Sequence, residues 1–419
     1  MLNHGLYLRG VQLLFLIWQV TLFQMYFTVE MIGYFYIIAS LISLQLIGDL
    51  GLSQLTMNTI AKLLIDKKNQ NQELSLSQAR NAALKILTVA LVFAGLFFLS
   101  ALIYLFWLHY SGKISHFEVL VMMIFFLAID LIFLNLVSII AGSIGADYYY
   151  KYKFVRLSIE YLITICVIHA GYLEFAQATG IAVSVVLMAF VLKKSVIYKF
   201  LYPECHIEQT AFNIRPDFIT MLFKYSVTWL SGFFTFSMII PLLSFGVTTE
   251  KIASLGTLLA IFNGVNMFFY TVAHQKTVTI THLGAKQEFH KIQRFIKTIL
   301  WFITLGYASI LCLIFVFNKI GFNLGVARLT DDLELFFGVS LMFFIHALAI
   351  PFFVVGNSLL KNNYAYRNLA WSVVNLFIFG GCFYVAGLPL TLSIVIYSLC
   401  QLILFFNVKN NVDFINNVD

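Results

Sequence analysis

The sequence predicts an all-α integral membrane protein of about twelve transmembrane helices, set as two parallel six-helix lobes around a central cavity. Three observations predict it: the composition, a succession of long apolar runs, and basic residues confined to alternate connections. Hydrophobic residues make up 61% of the chain, charged residues only 11%, and mean hydropathy is +0.91. Soluble globular domains carry about 25% charged residues. A hydrocarbon core about 30 Å thick needs about 20 mainly apolar residues per helix, and only helices or closed barrels satisfy the backbone inside it. The runs here are too long and continuous for barrel strands.

In chain order the spans are expected at 9–29, 31–52, 81–108, 118–141, 156–172, 176–198, 218–246, 252–280, 298–318, 335–360, 369–386 and 390–408. The first follows only His4 and Arg9 and lacks a small-residue cleavage site, so it reads as a retained helix and not a signal peptide. With the N-terminus inside, 22 of the 26 Lys and Arg fall on cytoplasmic segments, leaving Lys113, Lys251, Lys319 and Arg328 outside. Basic residues are retained on the cytoplasmic side of short loops, so both termini are expected there. Arg156 is counted among the cytoplasmic cations, at the start of the fifth span. The net charge of +7 then needs no nucleic acid, because a basic face beside anionic lipid accounts for it.

All five prolines follow residue 200, and the longest mid-chain polar connection is "YKFLYPECHIEQTAFNIRPDF", from Tyr198. The expected organisation is therefore 1–200 as an N-terminal six-helix lobe, 201–217 as a cytoplasmic linker and 218–419 as a C-terminal six-helix lobe. An internal echo supports it. "GSIGADYYYKYKFVRLS" and "GNSLLKNNYAYRNLAWS" align Gly142 with Gly356, Tyr150 with Tyr364, Tyr152 with Tyr366, Lys153 with Arg367 and Ser158 with Ser372 at a constant offset. Halves with even span numbers are parallel repeats, an architecture that suits a transporter.

Signals for bond-making chemistry are missing. There is no Walker loop, no HExxH and no connection longer than about 20 residues that could house a catalytic domain. The cysteines (Cys166, Cys205, Cys312, Cys382, Cys400) show no paired spacing, so they read as packing residues. No enzyme activity, metal or cofactor is expected.

Polar stripes inside the spans are the candidate site. Residues three, four, seven and eleven apart share a helix face. Arg9, Gln12, Gln19 and Tyr26 align so on the first span; Lys224, Thr228, Ser231 and Thr235 on the seventh; Asn263, Asn266, Tyr270, His274 and Thr277 on the eighth, with Lys276 beside them. These helices are expected to line a polar cavity open to the cytoplasm. Two plainer readings stand beside this: cations at inner helix ends snorkel in any membrane protein, and amides and hydroxyls bond between helices.

Two ionisable residues lie deeper. Asp130 is about twelve residues, hence about 18 Å, below its span's outer end. His346 sits at almost the matching depth of the tenth span. A charge there costs about 2.5–3.5 kcal/mol on insertion scales, so a functional role is the default reading. Pairing of Asp130 with Asn135 or Ser138 is the alternative. His169, alone in the fifth span, reads as a core histidine. Asp49 would end the second helix, where the dipole disfavours a carboxylate. The expectation is a helix that runs on, with Asp49 turned inward toward a cation such as Arg9.

"EMIGYFYIIASLISLQLIGDLGLSQ", starting at Glu30, resembles the second-helix signature of Wzx-type O-antigen and polysaccharide flippases: a glycine-aromatic start, a serine-bearing apolar run, then Asp-Leu-Gly-Leu. The twelve-span plan is similar to that family and, more widely, to the multidrug/oligosaccharidyl-lipid/polysaccharide (MOP) exporter superfamily, MATE-like in fold. The resemblance carries Gly33, Asp49, Gly51 and Leu52 onto the motif; the second half has no Asp-Leu-Gly-Leu copy. It implies two lobes around a cavity, and movement of an undecaprenyl-diphosphate-linked oligosaccharide from the inner to the outer leaflet of a bacterial cytoplasmic membrane. It also implies contact with membrane lipids, and with a polysaccharide polymerase as a candidate partner. Luminal roles for Arg9, Lys224 and Lys276 follow from it.

The chemistry suits such a substrate. Lys and Arg pair with a diphosphate, and the amides and hydroxyls of the stripes pair with sugars. Asp49, Asp130 or His346 are candidates for coupling transport to protons. The alternatives are a cation-coupled multidrug exporter of the same superfamily, whose organic cations would favour carboxylates, and a membrane glycan polymerase, which would need a large outer loop. A major-facilitator carrier lacks its basic-glycine loop in "AKLLIDKKNQNQELSLSQAR".

Overall fold

A computed structural model describes residues 10, 15, 18, 19, 22, 23, 25–43, 45, 49, 52–65, 72–112, 114, 116–144, 147–193, 222, 223, 226–228, 230–274, 276, 280, 283, 284, 286–319, 332–359 and 365–412. Among them the regular structure is helical throughout. Eight helices are long and apolar enough to cross a membrane, and the protein is a multi-pass membrane protein. These eight match the expected spans three, four, six and eight to twelve. The first and seventh fall partly outside the described residues. The second is met by a shorter apolar helix, and the fifth by a helix whose charges set it apart.

The chain groups into two compact units, the first built on Ile38–Phe233, the second on Phe234–Asp419 with the described residues of 9–37. Helix α1 (Val29–Ser43) passes from the second unit to the first. The first unit then contains α2 (Leu52–Ile65), α3 (Gln72–Tyr110), α4 (Phe117–Ile144), α5 (Asp147–His169) and α6 (Leu173–Lys193). Its hub is α4, which packs against α2, α3, α5 and α6. The most extensive contact in this unit is α5 with α6, and at Gly180 the two approach closely: a Cβ there would fall on Thr164 Oγ1 and, at 2.7 Å, on the Glu160 carbonyl oxygen. Small residues let helices approach where water supplies no driving force between them.

The second unit contains a short α7 (Ile239–Leu243) entered through a π-helical turn at Phe233–Ser237. It continues with α8 (Thr249–His274), α9 (Phe289–Lys319), α10 (Leu333–Ser358), α11 (Ala365–Gly380) and α12 (Leu390–Val412). Here the hub is α10, against α8, α9 and α12. The start of α1 abuts α8 because Gly33 faces the Thr249 backbone, where any Cβ would strike the carbonyl oxygen. A π turn frees backbone carbonyls, and Tyr397 of α12 takes one of them, its hydroxyl donating to Thr235 O at 2.7 Å. Thr235 Oγ1 in turn donates to Ser372 Oγ of α11 at 3.1 Å. Pro351 lies inside α10 without ending it.

Glutamates occupy the first turns of α1, α4, α6, α8 and α10: Glu30, Glu118, Glu174, Glu250 and Glu334. Negative charge is favoured at helix N-termini. The exposed apolar side chains gather on α3 (Leu91, Leu96, Ile103) and α9 (Trp301, Leu305, Leu313), the faces suited to lipid. At 39 residues, α3 is about 58 Å long.

Candidate functional site

The first unit buries an ionic network between its hub and α5. Asp130, on α4, lies with Oδ1 3.2 Å from Arg156 Nε, and Arg156 Nη2 lies 3.1 Å from Glu160 Oε2. The three side chains are 1%, 9% and 10% exposed. Arg156 and Glu160 are four residues apart on α5 and so share a face. The opposite oxygen of the aspartate, Oδ2, accepts from Gln45 Nε2 at 3.0 Å. The ion pairs are close but off-axis: Asp130 Oδ1, Arg156 Nε and Glu160 Oε2 make no aligned hydrogen bond. Continuing along the same face of α5, Tyr152 and Tyr149 lead toward its N-terminal end, where Ser53 and Asp49 lie near Tyr149.

Asp130 is therefore ion-paired, not joined to the neutral neighbours expected for it. Asn135 donates to Leu131 O at 2.9 Å and accepts from Thr56, and Ser138 donates to Leu134 O at 2.7 Å. Arg156 is drawn inward by the two carboxylates and is 7% exposed, which corrects its reading as a cation of the cytoplasmic face. α5 starts nine residues before the expected span, at Asp147. His169 ends α5 exposed, not in the core.

Asp49 and Gln45 are both helical, in keeping with a helix that runs on past Ser43. Asp49 Oδ1 accepts from Ser53 N at 3.2 Å and from Ser53 Oγ at 2.5 Å, so the carboxylate is satisfied by the residue one turn further on. Its expected partner, Arg9, lies outside the described residues.

The stripe residues are placed unevenly. Gln12 and Lys224 lie outside the described residues, as does the His274 side chain. Gln19 and Thr228 are half-buried and Ser231 is buried. On α8, Asn263, Tyr270 and, just beyond the helix, Lys276 are exposed. Asn266 is buried instead, donating to Phe343 O of α10 at 3.0 Å and accepting from Tyr307 Oη of α9. It bonds between helices, as the plainer reading had it. His346, on α10, stands edge-on to Phe236 with ring centroids 4.5 Å apart, and Phe353 lies at 6.3 Å. The deep ionisable residues thus sit on the two hub helices, one among charges and the other among aromatic rings.

Arg156 and Glu160 were missed. Glu160 carried the signal that singled out Asp130, a carboxylate inside an apolar span. The four-residue spacing to Arg156 would have linked the two. A cavity of about 550 Å³ opens in the second unit where α8, α10 and α12 begin; Glu250, Lys251, Ser254, Asp332, Glu334 and Thr391 line it. Asp332 caps α10, accepting from Leu335 N at 2.9 Å.

No protein-family model matches the chain, and no curated protein matches it. Solved structures do. An inward-facing multidrug resistance MATE family transporter of the MOP superfamily superposes with a TM-score of 0.71 at 13% identity, over 100% of this chain and 97% of that one. The eukaryotic MATE transporter AtDTX14 gives 0.54 at 12% identity, over 98% and 100%. The lipid II flippase MurJ, in an inward closed conformation, gives 0.56 at 15% identity, over 97% and 87%. Across its whole length the chain has a MATE-like fold.

Proposed function

We propose, from this fold, that the protein is a carrier of the MOP type that flips an undecaprenyl-diphosphate-linked oligosaccharide repeat unit from the inner to the outer leaflet of the bacterial cytoplasmic membrane by alternating access. The observation that carries the reading is the conjunction of a full-length MATE-like fold with the Glu30–Gln54 stretch, in which Gly33 seats α1 on α8 and Asp49 accepts from Ser53. Likeness to a lipid II flippase supports it. Arg9, Lys224 and Lys276 would pair with the diphosphate, and Asn263, Tyr270, Gln19 and Thr228 with sugar hydroxyls. No covalent bond is made or broken, which is why no nucleophile or acid–base pair is needed. An inside-negative potential assists outward movement of two negative charges by roughly 4–5 kcal/mol per 100 mV.

A second reading, a cation-coupled multidrug exporter, is favoured by the higher TM-score with a multidrug transporter. One experiment separates the two. Deletion of the gene is expected to remove surface polysaccharide and to accumulate complete, unexported lipid-linked repeat units. Lys276→Ala, Lys224→Ala and Arg9→Ala, expressed at wild-type level, are expected to complement poorly. Normal polysaccharide without accumulated repeats, together with sensitivity to organic cations, would replace the flippase by the exporter.

A further inference from the structure

The cavity where α8, α10 and α12 begin holds charges of both signs that do not meet. Glu250, Asp332 and Glu334 line it together with Lys251, and all four residues are exposed. Among the described residues none of the four is in an ion pair. Asp332 accepts from Leu335 N, and Glu334 Oε2 accepts from Thr391 Oγ1 at 3.5 Å. Helix dipoles account for the carboxylates, since α8 and α10 start here. They do not account for Lys251, which stands in the first turn of α8, the end where a cation is disfavoured.

An apolar cleft adjoins the cavity. From Glu334 and Thr391, which line both, it runs between α10 and α12 with a volume of about 380 Å³. Phe337 and Leu341 wall it from α10, Leu392 and Val395 from α12. Glu334, Phe337 and Leu341 share one face of α10, so the cleft extends about 10 Å along that helix. Its floor is at Gly338, where a Cβ would stand 3.3 Å from Ile394 Cγ2. Phe337 and Leu392 are 50% and 45% exposed, so the cleft lies on the side open to lipid.

We infer that cavity and cleft together form a binding site for an amine-bearing, zwitterionic phospholipid. The ammonium of a phosphoethanolamine headgroup lies among Glu250, Asp332 and Glu334, its phosphate at Lys251, and the start of an acyl chain in the cleft. Charge selects this occupant. Three carboxylates against one lysine leave an excess of negative charge, which opposes an anionic phospholipid. A primary ammonium donates three hydrogen bonds, strengthened by the charge on both partners, whereas a quaternary ammonium donates none. A simple organic cation leaves Lys251 unanswered, and a free phosphate compound leaves the cleft unfilled. The pattern of basic residues puts this end of the second unit outside, so the lipid belongs to the outer leaflet. The site does not depend on what the protein carries.

Native mass spectrometry of the purified full-length protein tests this. The protein is released from detergent in the presence of equal amounts of phosphatidylethanolamine, phosphatidylcholine and phosphatidylglycerol with identical acyl chains. Wild type is expected to retain phosphatidylethanolamine over the other two. Glu250→Gln and Glu334→Gln should each lower its retention about two- to fivefold, the range for an exposed ion pair, and shrink its lead over phosphatidylcholine. Lys251→Gln should lower both of these lipids and leave their ratio in place, because both carry the phosphate. Gly338→Leu, which fills the cleft, should lower retention of phosphatidylethanolamine as well. If that variant does not fold, the exposed charge variants remain decisive. Wild type without a preference for phosphatidylethanolamine would overturn the inference, and so would a ratio to phosphatidylcholine that the two glutamine variants leave unchanged. Tetraphenylphosphonium retained in place of the lipid, and lost in those variants, would overturn it in favour of an organic-cation site. A flippase assay that failed while the lipid preference held would remove the function and keep the site.

Discussion

Arg156 stands between two carboxylates in a space that admits almost no water, so its loss is felt differently from theirs. Arg156→Ala leaves uncompensated negative charge and is expected to cost about 3–5 kcal/mol, whereas Glu160→Gln, which keeps shape and removes charge, should cost far less. Thermal unfolding of the two variants in the same detergent checks the order. At this scale the sequence was half legible. Depth within an apolar run picked out Asp130, because hydrocarbon penalises any charge and so each one is informative. Arg156 was hidden by the same rule that oriented the chain: counting cations at helix ends cannot separate one that snorkels outward from one held inward by a partner twenty-six residues away in sequence. Asp49 stands out as a carboxylate in an apolar run, yet its donors are the amide and hydroxyl of Ser53 one turn on, a neutral partner that a search for a cation passes over.

Helix positions were readable because apolar run length is itself the physical requirement for crossing a membrane. Helix contacts were not, since lipid-facing and protein-facing surfaces are equally apolar and periodicity fades. Glycine is the residue that betrays the contacts. Gly33→Val would drive a side chain into the Thr249 backbone, and Gly180→Val into Thr164 and the Glu160 carbonyl. Each is expected to lower the unfolding temperature by several degrees and to reduce the fraction recovered as monodisperse protein in size-exclusion chromatography. Gly95→Val, where a Cβ meets nothing within 4 Å, is the matched control and should behave as wild type. The amide stripes divide for the same reason: Asn266 is consumed between helices, while Asn263, one turn earlier, stays exposed on α8.

For the molecule as a whole, two charge patterns of different origin agree. Basic residues collect on one set of connections, and Glu30, Glu118, Glu174, Glu250 and Glu334 open the helices that start on the opposite set. The first pattern reflects retention of cations during insertion and the second the helix dipole. Together they predict that a reporter fused after Asp419 is active only in its cytoplasmic form, and that one inserted beside Lys113 is active only outside. The opposite result at both positions would invert the whole topology. The two hub helices were not foreseeable, because a hub is defined by what packs on it, but both carry the deep ionisable residue of their unit. The length of α3 has a further consequence. Its apolar stretch alone, Asn81–Tyr110, has 30 residues and so spans about 34 Å even at a tilt of about 40°. That exceeds a hydrocarbon core of about 30 Å. Hydrophobic mismatch then makes bilayer thickness a control variable: reconstituted in lipids of increasing acyl-chain length, the protein is expected to gain thermal stability until the core matches the span of that apolar stretch, and to lose it beyond.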